Sequence, residues 1–307
     1  MVRYTLRRLL QAIPVLIGTT FIVFAMVFAI PGDPIRALAG DRPMAEGTYL
    51  ALRDRYNLDD PLLVQYGKYL WGLLQGDFGQ DFNGRAVSEI MLERFPVTIK
   101  LALVALAFEI VLGIAAGVLA ALRRKSFLDS LVLVTTTAIV SIPTFVLGFT
   151  LQLVLGVRLG WFPIAGLTDG ARSYLLPGFV LGALSLAYVA RLTRTSLVEN
   201  LRADYVRTAT AKGAARTRVV GIHALRNSLI PVVTFLGVDL GALMGGAIVT
   251  EGIFNLPGVG QQVFLSVRAQ EGPVVVGIVT ALVLVFVLAN LVVDLLYGVL
   301  DPRIRYD

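Results

Sequence analysis

Residues 203–213 read Ala203-Asp204-Tyr205-Val206-Arg207-Thr208-Ala209-Thr210-Ala211-Lys212-Gly213, followed by a basic run to Asn227 and then Leu229-Ile230-Pro231. A long apolar stretch flanks the segment on either side. Its residue order predicts a short helix. Asp204 suits the N-cap, Lys212 the C-terminal end, and Gly213 the left-handed conformation that stops the helix. Val206, Ala209 and Gly213 fall at i, i+3 and i+7, which gives one small, shallow face able to sit close against a groove. Thr217 is placed to cap a second helix through Val219, Val220 and Leu225. A merely basic loop would suffice to fix topology; the cap, the small face and the terminating glycine are more than topology needs. The segment is too polar to enter lipid, so it suits docking onto a soluble partner.

The rest of the chain sets this helix in a membrane protein. Of 307 residues, 56% are hydrophobic and only 16% charged, far less charge than a soluble surface of this size requires. Crossing the hydrocarbon core takes about 20 mostly apolar residues. Six stretches qualify, roughly 9–30, 97–121, 128–155, 174–193, 229–250 and 274–299. The first is longer than the ~7–15 residues of a signal core, and Pro31-Gly32-Asp33-Pro34 is no small-residue cleavage site. Lys and Arg in short loops set the orientation. With the N-terminus inside, the cytoplasmic segments carry Arg3, Arg7, Arg8, Arg123, Arg124, Lys125, Arg191, Arg194, Arg202, Arg207, Lys212, Arg216, Arg218, Arg226, Arg303 and Arg305. Two external connections carry only Arg158, Arg172 and Arg268. The expectation is an all-α integral membrane protein, N-in and C-in, with residues 1–8 cytoplasmic, 9–30 the first span and 31–96 extracytoplasmic.

Carboxylates interrupt some of the apolar stretches. Glu109, Asp239 and Asp294 lie within or near spans, where a charge costs roughly 2.5–3.5 kcal/mol at the helix centre. Asp239 is a candidate for an aqueous cavity, since Gly237, Gly241, Gly245 and Gly246 permit close helix approach beside it. Glu109 is expected to pair with a neighbour such as Lys100 or with a partner subunit, and Asp294 to sit near the interface. Pro143 and Pro231 should kink or bound the third and fifth spans. In the external segment, Tyr66, Tyr69, Trp71 and Phe78 suit either an interface or a small cap packed on the bundle.

Several chemistries are excluded. There are no cysteines and one histidine, His223, so thiolate sites and histidine clusters are out. No Gly-x4-Gly-Lys-Ser/Thr phosphate loop occurs; Gly67-Lys68 is followed by Tyr69. An intramembrane serine protease needs a base within the bilayer, yet His223 lies in the basic loop and no Gly-x-Ser-x-Gly elbow is present. A passive channel leaves the docking helix without a purpose. The net charge of +6 sits in membrane-flanking loops rather than in a nucleic-acid-binding patch.

The helical loop resembles the coupling-loop motif of ABC-importer permeases, Glu-Ala-Ala, three residues, then Gly. Arg207-Thr208-Ala209 falls on Glu-Ala-Ala and departs from it at the first two positions; Gly213 falls on the Gly. The run Asp204 to Gly213, with His223 to Pro231 after it, is similar to the dipeptide/oligopeptide/nickel (DppB/OppB-like) subfamily. Further likenesses follow in order along the chain. They are Pro31-Gly32-Asp33-Pro34, Leu58-Asp59-Asp60-Pro61 with Gln65-Tyr66, Gly76-Asp77-Phe78-Gly79, and Arg94-Phe95-Pro96-Val97-Thr98, then Glu251-Gly252-Ile253-Phe254-Asn255-Leu256-Pro257-Gly258-Val259-Gly260 and Asp301-Pro302-Arg303-Ile304-Arg305.

The resemblance implies a type I ABC importer permease fold, with 97–307 as the permease core, a cytoplasmic coupling loop 194–228 and an external hairpin 251–272. It implies a multi-pass subunit of a bacterial cytoplasmic (inner) membrane, working with a second (DppC/OppC-like) permease, two cytoplasmic ATPases and an extracytoplasmic binding protein. ATP and Mg would be bound by the ATPases, with no cofactor or metal in this chain and no nucleic-acid partner. The implied coupling helix comprises Asp204, Tyr205, Val206, Arg207, Thr208, Ala209, Lys212, Gly213 and Ala214. Pro143, Asp239 and Met244 are assigned to the translocation pathway, and Phe254, Pro257 and Gly258 to a hairpin closing over its mouth. Dipeptides or oligopeptides are the expected cargo, with nickel, haem, glutathione or an oligosaccharide as alternatives within the subfamily.

Overall fold

The computed structural model describes residues 2–29, 35 and 45–300, with side chains described from 10 to 292 among them. Pro31-Gly32-Asp33-Pro34, the tail Asp301–Arg305 and the side chains of Arg3, Arg7, Arg8 and Asp294 therefore lie outside the described residues. Among the described residues the chain is helical throughout, apart from one isolated antiparallel bridge, Gln80–Ala86. That meets what lipid demands, because a helix satisfies its backbone hydrogen bonds within itself. The principal helices are α1 (Val2–Phe28), α2 (Glu46–Arg55), α3 (Leu62–Leu74), α4 (Val87–Phe108), α5 (Ile114–Leu122), α6 (Phe127–Ser141) and α7 (Thr144–Leu151). After them come α8 (Leu175–Asn200), α9 (Asp204–Ala211), α10 (Ile230–Phe254), α11 (Val259–Arg268) and α12 (Gly272–Leu300).

Among the described residues, five helical segments are long and apolar enough to cross a membrane: Leu10–Phe28, Val87–Leu122, Gly170–Asn200, Ile230–Phe254 and Gly272–Val292. The third apolar stretch differs from a single straight span. Phe127–Ser141 and Thr144–Arg158 meet at 105°, the geometry of a broken span or a re-entrant loop, and the number of spans is six if the pair is one span. The cause is Pro143, which cannot donate to the helix ladder and drives Ile142 into extended backbone (φ −95°, ψ 124°). Pro231 sits in the first turn of α10, where its missing N–H costs nothing. The second span begins at Val87, ten residues before the apolar run, and carries Pro96 within the helix.

The chain divides into two compact units, Met1–Thr98 with Leu256–Asp307, and Ile99–Asn255. In the first, Phe24 of α1, Tyr66 of α3 and Val276 of α12 form the buried centre, with Phe21, Phe28, Tyr69 and Leu70 around them. The Tyr66 hydroxyl donates to the Ile17 carbonyl at 2.8 Å and meets Thr20 Oγ1 at 2.8 Å. Burial pushes the Tyr69 hydroxyl up to about 12, so it stays a neutral donor to Thr280 Oγ1. Tyr66 and Tyr69 thus belong to a cap packed on its own helices, while Trp71 faces outward at 67% exposure. Gly277 admits the Phe78 carbonyl so closely that a Cβ there would lie 2.3 Å from it.

The second unit is organised by glycines on α5, the turn before it, and α8. A Cβ at Gly113 would sit 2.9 Å from Val189, and one at Gly117 2.5 Å from the Ala190 carbonyl oxygen. From the other side, Gly178 would meet Val104 at 2.6 Å and Gly182 the Ala105 carbonyl oxygen at 2.9 Å. Each helix presents small-xxx-small spacing, the arrangement that lets membrane helices pack by close backbone approach. Two of the glycines beside Asp239 do less. Gly245 faces open space, and Gly246 meets only Leu181 Cδ1 at 3.4 Å.

Candidate functional site

The polar loop folds as expected in outline and differs in detail. Helix α9 spans eight residues, Asp204–Ala211, but its N-cap is Ala203, in extended backbone and without a side-chain cap bond. Asp204 is the first helical residue instead, where its charge still suits the positive end of the helix. Thr217 likewise caps nothing: the next helical turn starts at Arg216 after Ala215 and runs on through a π-helical stretch, Val219–Leu225. The stop at Gly213 is present, with φ +80°. Gly213 N–H donates to the Thr210 carbonyl at 3.0 Å and Ala214 N–H to the Ala209 carbonyl at 3.2 Å. These are the two bonds of a Schellman cap, which needs a left-handed residue between them.

The small face is turned inward. Val206 is buried in a cluster with Leu197, Val219, Ala224 and Ala121, and Ala209 and Ala214 pack at its edge. Eight residues make a marginal helix in water; burying Val206 is worth about 1.5–3 kcal/mol and ties α9 to the end of α8. The Tyr205 hydroxyl bonds Asn200 Oδ1 across the same corner. The free face is therefore Asp204, Tyr205, Arg207, Thr208, Ala211 and Lys212, all exposed. Arg207 and Asp204 pair at 3.6 Å on that surface, an ion pair worth little by itself.

Beneath the loop, Arg194 grips Asp129 in a bidentate pair, Nε to Oδ1 at 2.5 Å and Nη2 to Oδ2 at 2.8 Å. Asp129 is the third residue of α6, behind its Ser126 N-cap, and also accepts from Lys125 N–H at 2.8 Å. The pair locks the start of α6 to the last turns of α8, the helix from which α9 hangs. Sequence reading counted Arg194 only as a topology charge, because 65 residues separate it from its partner. Asp129→Ala leaves the guanidinium without its partner, and breaking such a pair costs about 3–5 kcal/mol. Thermal unfolding of the detergent-solubilised chain should show a large drop in midpoint, and Asp129→Glu a smaller one.

Of the assigned pathway residues, Pro143 alone lines the hollow at the bend of the third apolar stretch. Pro143 stands at the exposed bend, above a hollow of about 260 Å³ lined by Ile139–Thr144, Leu147, Val180, Ala183 and Leu184. Neither Asp239 nor Met244 lines it. Met244 is buried in the second unit. Asp239, half-buried, faces Ser185 and Glu109 rather than a basic group. Glu109 is fully buried and does not meet Lys100, which lies about two and a half turns away on the same helix.

The segment 251–272, expected as an external hairpin, is a helix end, a turn and a second helix. Glu251 to Phe254 complete α10, Asn255 takes a left-handed C-cap (φ 49°, ψ 43°), and Leu256-Pro257-Gly258 turn the chain into α11. The Phe254 side chain is buried, and its carbonyl accepts from Gly166 N–H at 2.9 Å, drawing the loop after α7 across the end of α10. Pro257 is exposed, and Gly258 is the buried N-cap of α11. Thr98 Oγ1 accepts from Val259 N–H at 3.0 Å, and Arg94 Nη1 donates to Gln261 Oε1 at 3.4 Å. The motifs around Arg94-Thr98 and Leu256-Gly260 are thus two sides of one contact.

Comparison with known proteins agrees with this architecture. Residues 113–306 match the binding-protein-dependent transport system inner membrane component family, and residues 1–102 its N-terminal companion. The chain is 42% identical over 308 residues to the glutathione transport system permease protein GsiC of Salmonella paratyphi A, covering 100% of both chains. It is 41% identical, with the same coverage, to GsiC of Escherichia coli K12. An inward-facing structure of the MetNI methionine ABC transporter superposes with a TM-score of 0.57 at 18% identity, over 69% of this chain and 96% of that one. This chain therefore belongs to the binding-protein-dependent transport system inner membrane components, as a multi-pass ABC-importer permease of type I fold in the bacterial cytoplasmic membrane.

Proposed function

We propose that this chain forms one half of the translocation pathway of an ATP-driven importer of glutathione or a closely similar short peptide. Likeness to glutathione permeases along the whole chain is the observation that carries the substrate reading. It narrows the broader peptide expectation to the glutathione alternative. Dipeptide and oligopeptide cargo is the second reading, favoured by the Asp204–Gly213 and His223–Pro231 runs. Nickel has less support, since among the described residues no group of three metal-ligating side chains occurs.

In this reading the chain is not itself an enzyme. A second permease completes the pathway, two cytoplasmic ATPases supply ATP and Mg chemistry, and an external binding protein delivers the cargo. Helix α9 docks on an ATPase through Asp204, Tyr205, Arg207, Thr208 and Lys212, while Val206 and Ala209 anchor it to the permease core. Moving a cavity from 1:99 to 99:1 between two orientations takes about 5.5 kcal/mol. A helix held by a buried anchor and a Schellman cap can transmit that load; a flexible loop cannot.

The test is uptake of labelled glutathione into cells lacking their own importer, expressing this chain with its neighbouring permease, ATPase and binding-protein subunits. Uptake that unlabelled glutathione competes away and dipeptides do not supports the reading. Uptake of dipeptides with none of glutathione replaces it by the second.

A further inference from the structure

The most unusual place in the second unit is the meeting of Glu109, Asp239 and Ser185. Glu109 opens a π-helical turn, Glu109–Gly113, between α4 and α5. Such turns insert one residue, cost stability and recur at functional sites. Its side chain is fully buried, and neither carboxylate oxygen has a hydrogen-bond partner. The charged group facing it is Asp239 of α10, whose own Oδ2 is also buried without a partner. Ser185 of α8 lies beside Asp239. Gly182 of α8 makes room for the arrangement, for a Cβ there would lie 3.1 Å from Glu109 Oε1.

No positive charge answers these two acids. Within 101–122, 175–190 and 230–250 of the three helical segments that meet here, the ionisable residues are Glu109, Asp239 and Tyr188, with no Lys, Arg or His. A carboxylate buried without a partner costs several kcal/mol, and a second one facing it adds repulsion. Three buried acceptor oxygens left open beside one another call for positive charge shared between the two carboxyl groups, whether a single proton or another monovalent cation. Asp239 is half-buried as a residue and Glu109 fully buried.

We propose that Glu109 and Asp239, with the Ser185 hydroxyl, form a binding site for a single monovalent cation. A proton, an alkali ion and a primary ammonium group share the required chemistry: one positive charge divided between two carboxyl groups. A divalent metal is the poorer fit, because two carboxylates and one hydroxyl leave most of its ligand sphere unfilled. The site ties α4, α8 and α10 together through its occupant, so occupancy stabilises the packing of these three helices. The inference stands apart from the identity of the cargo, and its test requires no transport.

The experiment uses the full chain in lipid nanodiscs and follows thermal unfolding at constant ionic strength. Choline chloride is exchanged in turn for sodium chloride, potassium chloride and methylammonium chloride, and the series is repeated across pH. One of these cations is expected to raise the midpoint. At a hundred times its Kd it should raise the folded-to-unfolded ratio about 100-fold, and a proton should shift that ratio by up to about tenfold per pH unit. Whichever cation acts identifies the occupant. Glu109→Gln with Asp239→Asn should remove the response while the chain remains folded, since the change relieves like-charge repulsion. Ser185→Ala should keep the response and weaken the affinity several-fold. A wild-type midpoint indifferent to all three salts and to pH would overturn the site, as would a double variant that responds like wild type.

Discussion

Gly213→Val is expected to lower substrate uptake at least tenfold while the permease remains in the membrane. Gly213 holds φ at +80°, and nothing lies within 4 Å of where its Cβ would be. The penalty is therefore conformational and not steric crowding. A β-branched residue in the left-handed region costs on the order of 1–3 kcal/mol, and about 1.4 kcal/mol is a factor of ten. The chain can escape the strain only by giving up the bonds from Gly213 to Thr210 and from Ala214 to Ala209, which close the end of α9. The helix would then lose its fixed attitude to the Val206 anchor. Gly213→Asn supplies the contrast, because Asn tolerates left-handed backbone and should retain most of the uptake. Equal uptake by Val and wild type would show that the cap geometry plays no part in transport.

Gly117→Val should have the larger effect on the protein itself. The added Cβ would fall 2.5 Å from the Ala190 carbonyl oxygen and 2.6 Å from Thr193 Cβ. Backbone cannot swing aside as a side-chain tip can, so α5 and α8 must separate. Overpacking costs typically 1–3 kcal/mol and occasionally more. Here the separation would also disturb Gly113 and Val189 one turn along, so a loss of at least about 3 kcal/mol is expected. Membrane levels of the folded chain, read by fluorescence-detected size exclusion, should fall more than tenfold. Gly245→Ala, which meets nothing within 4 Å, should leave them unchanged.

How far such features could be read beforehand depends on their range along the chain. Composition and apolar run length gave the helical membrane protein, since both are local sums. Pro143 was legible as a kink because proline acts on its own neighbours, though the 105° bend was not. The inward turn of Val206 and Ala209 was not legible either. A small face on a short helix suits a partner's groove and the chain's own core equally, and only the position of Leu197, Val219 and Ala224 decides. Asp204 was displaced by one residue because Ala203 takes the extended backbone of the N-cap.

Pairings distant in sequence were the hardest. The spacing of Gly113 with Gly117 and of Gly178 with Gly182 gains meaning only once α5 and α8 are known to be neighbours. Beside Asp239, Gly245 faces open space and Gly246 makes one ordinary contact, so their spacing carries no comparable approach. Arg194 reached Asp129 across 65 residues. Glu109 met an acid where a base was expected, and Asp239 reached it over a separation of 130 residues.

The proposed docking of α9 on an ATPase is tested most directly by cross-linking, and the absence of cysteine from the wild-type chain makes the experiment clean. Thr208→Cys on the exposed face and Val206→Cys on the buried face would each be placed in the assembled importer. A short thiol-to-amine cross-linker would be applied with and without ATP, and the products identified by mass. Thr208→Cys is expected to capture the ATPase, with a yield that changes on adding ATP, and Val206→Cys is expected not to. An intact importer in which Thr208→Cys captures no ATPase, or in which Val206→Cys does so as readily, would contradict the proposed docking.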